Sequence, residues 1–352
     1  MSDAPGHDRR TVLQTLAVSA AASTLRPLLG LAQPRPVIRT LLADLDPQSL
    51  TGAVLFHEHL SMRYPLGVTE HFTDDVALMT EEARAAKADG IGCLVDGGHA
   101  DMGRNIEALQ RIATGSGLPL VASGGFYMQR SYPEPLAAQS ADALAEMLTR
   151  EARDERYGAF GEIGQQSGEM TADERKVFQA VAMAQARTGL PIFTHNAYLG
   201  TRPGADAIPR DTALRQLDIL EAAGATADHV AIGHVCCLND PEGEIPIALA
   251  KRGAYVGFDR VTIQLVPDAQ KVTTIRRILD AGCTCSAAGR ARQPSSSKRA
   301  HPHSPSTGLS CSVRLRHRTA CVPTIARGWA GAIRCRPISL PPSAIRRTCT
   351  RC

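Results

Sequence analysis

Up to about residue 280, apolar positions follow two periods that take turns. Short unbroken apolar runs, of the length a buried strand needs, alternate with stretches in which apolar residues recur every third or fourth position. The run at 52–57 opens the series, and the stretch at 73–89 follows, with Val76, Met79, Ala83 and Ala86 on one helical face and Gly90 as a stop. Further strands are predicted at 91–98, 118–125, 157–164, 190–195, 229–234 and 253–259. Helices fall between them at about 102–114, 140–155 and 171–189, then around Leu214, Leu217 and Leu220, then before Arg252. A last helix carries Val272, Ile275, Ile278 and Leu279 and stops at Gly282, while Thr171 and Glu174 have the spacing of a capping box.

Strands alternating with amphipathic helices argue for a parallel sheet with helical crossovers. Seven such units, with chemically interesting residues at the ends of the first, fourth, fifth and sixth strands, favour a (β/α)8 TIM-type barrel, because a barrel gathers strand ends at one mouth and an open sheet spreads them in a row. At the end of the first strand, His57 and His59 are two residues apart, so on an extended chain they share a face, with Cα atoms about 6.6 Å apart. That span lets both imidazoles reach one ion at about 2.0–2.1 Å each. Glu162, His195 and His234 each close a later apolar run. No glycine-rich dinucleotide fingerprint or Walker-type phosphate loop follows any strand, which argues against a nucleotide cofactor.

Composition changes the picture at one point. All 35 acidic residues precede position 283, the last being Asp280, whereas thirteen of the 39 basic residues and seven of the ten cysteines follow it. The helical period stops at the same place. At the other end, Arg9 and Arg10 precede a short Ala-rich apolar stretch, from about Thr15 to Leu25, and small residues at Gly30 and Ala32. This describes a twin-arginine export signal over 1–32 and a periplasmic or secreted protein. The apolar stretch is well short of the roughly 20 residues that span a bilayer, and Arg26 and Pro27 interrupt it, so no membrane span is expected. The expected organisation is a signal at 1–32, a barrel of seven units at 33–282, and a basic, disordered tail at 283–352.

With these residues in view, the chain resembles the phosphotriesterase family of the amidohydrolase superfamily. The resemblance runs through Gly52 to Leu60, Met102 to Asn105, Gly161 to Gly164, Thr194 and His195, Gly233 and His234, and Gly257 to Asp259, in that order and at barrel spacing. Val54 stands where the family usually has threonine. The resemblance implies two divalent metals, zinc in the first place with manganese or cobalt as alternatives, bridged by a carboxylate and a hydroxide. It implies His57 and His59 on one metal, His195 and His234 on the other, and Glu162 as bridging ligand and catalytic carboxylate, where other branches use a carboxylated lysine. Asp259 either orients a ligand or, with Arg260, binds substrate. The implied reaction is hydrolysis of a small-molecule phosphotriester, lactone or other ester. A homodimer is common among such barrels, and nucleic acid is not an expected partner.

His229 is expected to face solvent, Cys236 and Cys237 to serve packing rather than redox chemistry, and His99 and Asp101 to lie near the mouth without a defined role. The family's eighth strand brings an aspartate to the first metal, and no acidic residue follows Asp280 to supply it. The abrupt shift in composition suggests a frameshift near codon 283. The consequences expected are free edges on strands one and seven, and a second candidate function: an inactive truncated barrel that only binds metal or ligand.

Overall fold

A computed structural model of the chain describes residues 36–63, 73–196, 209–238, 240–260, 266–285 and 332–335. After a two-residue ribbon pairing Ile38–Arg39 with Asp44–Leu45, strand and helix alternate throughout. Strand β1 is Ala53–Glu58, α1 Val76–Ala88, β2 Ile91–Asp96, α2 Ile106–Ser116, β3 Leu120–Gly124 and α3 Ala141–Asp154. Next come β4 at Ala159–Gly164, α4 at Ala172–Thr188, β5 at Ile192–His195, α5 at Thr212–Ala222, β6 at Val230–Ile232, α6 at Glu244–Lys251, β7 at Tyr255–Gly257 and α7 at Asp268–Asp280. Helix ends obey local chemistry: Thr171 and Glu174 form the reciprocal capping box of α4, and Gly189 ends that helix in the left-handed conformation. Helix α2 begins later than its apolar spacing suggests, because Gly103 takes a left-handed turn and the Asn105 side chain then accepts the Ala108 N–H as an N-cap.

Strands β1 to β7 run parallel in chain order. Laid flat at about 4.8 Å per strand, they would hold β1 and β7 roughly 29 Å apart. Instead, His57 at the end of β1 donates to Asp259, just past β7, at 2.9 Å, so the sheet curls and the strand ends meet. Inside the curl lie Val54, Phe56, Val95, Val121, Ala159, Phe193, Ala231 and Tyr255. The larger core, with Leu94, Leu120, Phe160, Ile192, Val230 and Val256, lies between the strands and the helices. These residues alternate in and out along each strand, which is why the runs read as continuously apolar.

The departure from expectation is at the open side. The edge of β7 is not left bare: β9, Ala332–Cys335, pairs with it antiparallel, Ile333 opposite Val256, and β8, Cys283–Cys285, pairs with β9. Backbone groups on an exposed edge accept any extended segment within reach, whether or not its sequence alternates, and these two tail strands carry no periodic signal. Among the described residues β1 pairs with β2 alone, so no parallel eighth strand joins β7 to β1.

Candidate metal centre

The mouth of the curl is built around Glu162, whose side chain is 2% exposed. His57 Nε2 lies 3.2 Å from its Oε1, His234 Nε2 2.9 Å from the same atom, and His59 Nε2 3.4 Å from Oε2. His195 Nδ1 is in close contact with Oε1 and 3.0 Å from His234 Nε2. Four imidazoles from two strand ends and one helical turn thus face a single carboxylate, all buried apart from His59, whose side chain is 24% exposed.

Strand parity alone does not produce this. Val54 and Phe56 point into the curl, so regular alternation turns His57 away. A register shift between Leu55 and Glu58 reverses the parity, and Phe56 and His57 both pack on Phe193, at ring-centre distances of 6.2 and 5.2 Å. A second shift, between Phe160 and Ile163, does the same for Glu162. Glycine is required just ahead of two of these residues. A Cβ on Gly161, which sits at φ 146°, would lie 2.5 Å from the Phe193 carbonyl oxygen, and one on Gly233 would lie 2.1 Å from that of Thr194. His234 itself takes a left-handed φ of 56°, with its N–H donating to Asp259 Oδ1 at 2.9 Å.

Asp259 sets the tautomers. Its two oxygens accept from His57 Nδ1 at 2.9 Å and His234 Nδ1 at 2.8 Å, leaving both Nε2 lone pairs aimed at Glu162. Of the two roles open to Asp259 from sequence, this is the geometry that the orienting one requires, with both carboxylate oxygens engaged by the histidines. Lone pairs directed at a carboxylate oxygen repel unless a proton or a cation lies among them. The titration behaviour without metal follows. Burial works against protonation of His57, yet Glu162 and Asp259 outweigh it and raise its pKa to about 10, while burial, helped by His234 and Arg260, takes His195 down to about 4. Burial opposes ionisation of Glu162 and Asp259, but the facing histidines, through charge and hydrogen bonds, hold both well below the usual carboxylate range. The set fits divalent cations: one carboxylate among imidazoles, with a ring nitrogen of His57, one of His234 and a Glu162 oxygen within 4.8 Å of one another.

Other residues support the centre. Asp96, fully buried, accepts from the N–H of Leu60 at 2.6 Å and of Gly98 at 3.0 Å, fixing the chain just past His59. The Tyr127 hydroxyl lies 3.2 Å from His195 Nδ1, a contact that no spacing in the sequence announces. Gln216 on α5 donates to the His195 carbonyl at 3.0 Å. His99 and Asp101 are both buried, 3.5 Å apart, and Asp101 accepts from the Tyr127 N–H and the Ser131 hydroxyl, so it pins the loop that carries Tyr127. Arg260 follows Asp259 and its carbonyl accepts from Lys271. His229 lies apart from the centre with its side chain 37% exposed, bonded to Asp228.

The family model for "Phosphotriesterase family" matches residues 36–286. The chain belongs to the phosphotriesterase family. It is similar to the phosphotriesterase homology protein of Escherichia coli K12, 29% identical over 249 residues that make up 68% of this chain and 80% of that protein. A solved structure of that relative, with phosphate in its active site, superposes with a TM-score of 0.60 at 28% identity, covering 66% of this chain and 79% of the other. Two further relatives are the N-acetyltaurine hydrolase of Danio rerio, 24% identical over 70% of this chain and 81% of that protein, and the aryldialkylphosphatase of Saccharolobus solfataricus, 28% identical over 65% and 73%. The relatives are hydrolases, and the phosphotriesterase family is one of binuclear metal enzymes.

Proposed function

We propose that the chain is a metal-dependent hydrolase of a small-molecule ester, a phosphotriester, a lactone or another carboxylic ester, working with two divalent ions of which zinc suits the imidazole-rich donor set best. The observation that carries this reading is the convergence of four imidazoles on the Glu162 carboxylate. His57, His59, Glu162, His195 and His234 would hold the ions, which when bound lower the pKa of a shared water and polarise the bond under attack. The chain's own groups do the rest. Glu162 offsets part of the cationic charge, and Asp259 retains the Nδ1 protons of His57 and His234 so that both present Nε2. Arg260, next to Asp259 in the chain and near enough to His195 to disfavour its protonation, would supply a cation suited to a carbonyl or phosphoryl oxygen.

A second reading has its own support: no acidic residue follows Asp280, so no carboxylate is available from the family's eighth-strand position. The protein is then a barrel that binds metal without turning over. One assay series separates the two. The zinc-, manganese- and cobalt-loaded chain is tested against a lactone, an aryl ester, a phosphotriester and, because of the N-acetyltaurine hydrolase relatives, an N-acyl amide. Hydrolysis of one class that chelation abolishes and metal restores supports the enzyme; bound metal with all four substrates intact supports the inactive barrel.

A further inference from the structure

Just beyond His234 sits a pair of thiols that the proposed hydrolysis does not use. Cys236 and Cys237 are adjacent, both buried and unbridged, with sulfurs 3.4 Å apart. They occupy the single 3-10 turn Val235–Cys237, which starts from the left-handed His234 and is closed by the Cys237 N–H donating to the His234 carbonyl at 3.0 Å. We propose that this vicinal dithiol is an oxidative modification site whose conversion to a disulfide displaces His234 from the metal centre. A small peroxide is the oxidant: both S–H bonds break, one S–S bond forms, and the two electrons and two protons cleave the O–O bond of hydrogen peroxide to give two waters.

The coupling is geometric. Neighbouring Cα atoms are about 3.8 Å apart across a trans peptide, whereas a disulfide normally spans roughly 4.4–6.8 Å between Cα atoms. That separation is fixed by the covalent chain, so a bridge closes a strained eight-membered ring through the peptide, and bringing the sulfurs from 3.4 Å to a bond of about 2.05 Å changes the backbone torsions of the turn. That turn begins at His234, whose backbone N–H and ring Nδ1 are both held by Asp259 and whose Nε2 faces Glu162 at 2.9 Å. A turn that changes shape cannot keep all three contacts. Cysteines present only for packing behave as small apolar side chains and leave His234 indifferent to oxidant.

The consequence for metal retention rests on the proposed function; the consequence for the backbone does not. The test oxidises the full chain with hydrogen peroxide, with and without zinc, and follows it by peptide mass mapping and hydrogen exchange. The expected result is loss of two hydrogens from the peptide holding Cys236 and Cys237, regained with dithiothreitol, with exchange over 233–238 faster by about tenfold or more and bound zinc released. Cys237→Ala should keep both zinc and exchange protection under peroxide. The inference is overturned if those thiols survive while other cysteines oxidise, or if their disulfide forms with exchange unchanged. A chain that never binds zinc sinks the metal-hydrolase reading, and the exchange data still decide the thiol switch.

Discussion

Asp259 holds the protons on His57 and His234, so its charge matters more than its shape. Asp259→Asn keeps the volume but puts an amide N–H against one ring N–H, which favours the wrong tautomer. Metal affinity, measured by chelator competition, should fall about 10–100-fold with the fold intact by circular dichroism. The raised His57 pKa makes a second prediction at this scale. Above the unfolded value of 6.5 the folded metal-free chain still holds a proton that the unfolded chain has released, so this contribution to stability is fully present below pH 6.5 and lost as pH rises to about 10. Urea midpoints of the metal-free chain should decline across that window, and Asp259→Asn should flatten the decline. The histidines and Glu162 were legible in the sequence because each ends an apolar run. Tyr127 was not, nor was the choice between the two roles open to Asp259, since both depend on contacts across 68 and 202 residues.

Among the elements, two register shifts decide the site, and both occur where a ligand candidate has the wrong parity in a regular strand. Periodicity locates a strand but does not reveal a one-residue slip, so His57 and His59 were expected on one face without any indication of which face. Helices bounded by caps, such as α3 after Ser140 and α4 after Thr171, matched their expected limits closely because capping is local chemistry. The tail strands were invisible because backbone pairing, of β9 with β7 and of β8 with β9, places them rather than any period in their sequence. Ile333→Pro removes a backbone donor from the strand facing Val256. The expected result is a thermal midpoint lower by several degrees and more aggregation. An unchanged midpoint would mean that β9 contributes nothing to the β7 edge.

For the molecule as a whole, the curl of seven parallel strands accounts for a large inner and outer core and still leaves β1 with one partner among the described residues. The shift in composition at position 283 coincides with the end of the regular barrel, and resequencing the gene there tests the proposed frameshift: an intact reading frame with uniform codon usage refutes it. Export is a separate proposal resting on Arg9 and Arg10, which lie outside the described residues. Changing both to lysine should retain the precursor in the cytoplasm, and unchanged fractionation would refute the signal. The central claim is that residues far apart in the chain form one cation site. Its most direct test is metal stoichiometry by elemental analysis after zinc loading and desalting, on the full chain and on Glu162→Gln. The account predicts about two zinc per chain falling to one or none in the variant, and equal zinc content in the two, at any level, contradicts it.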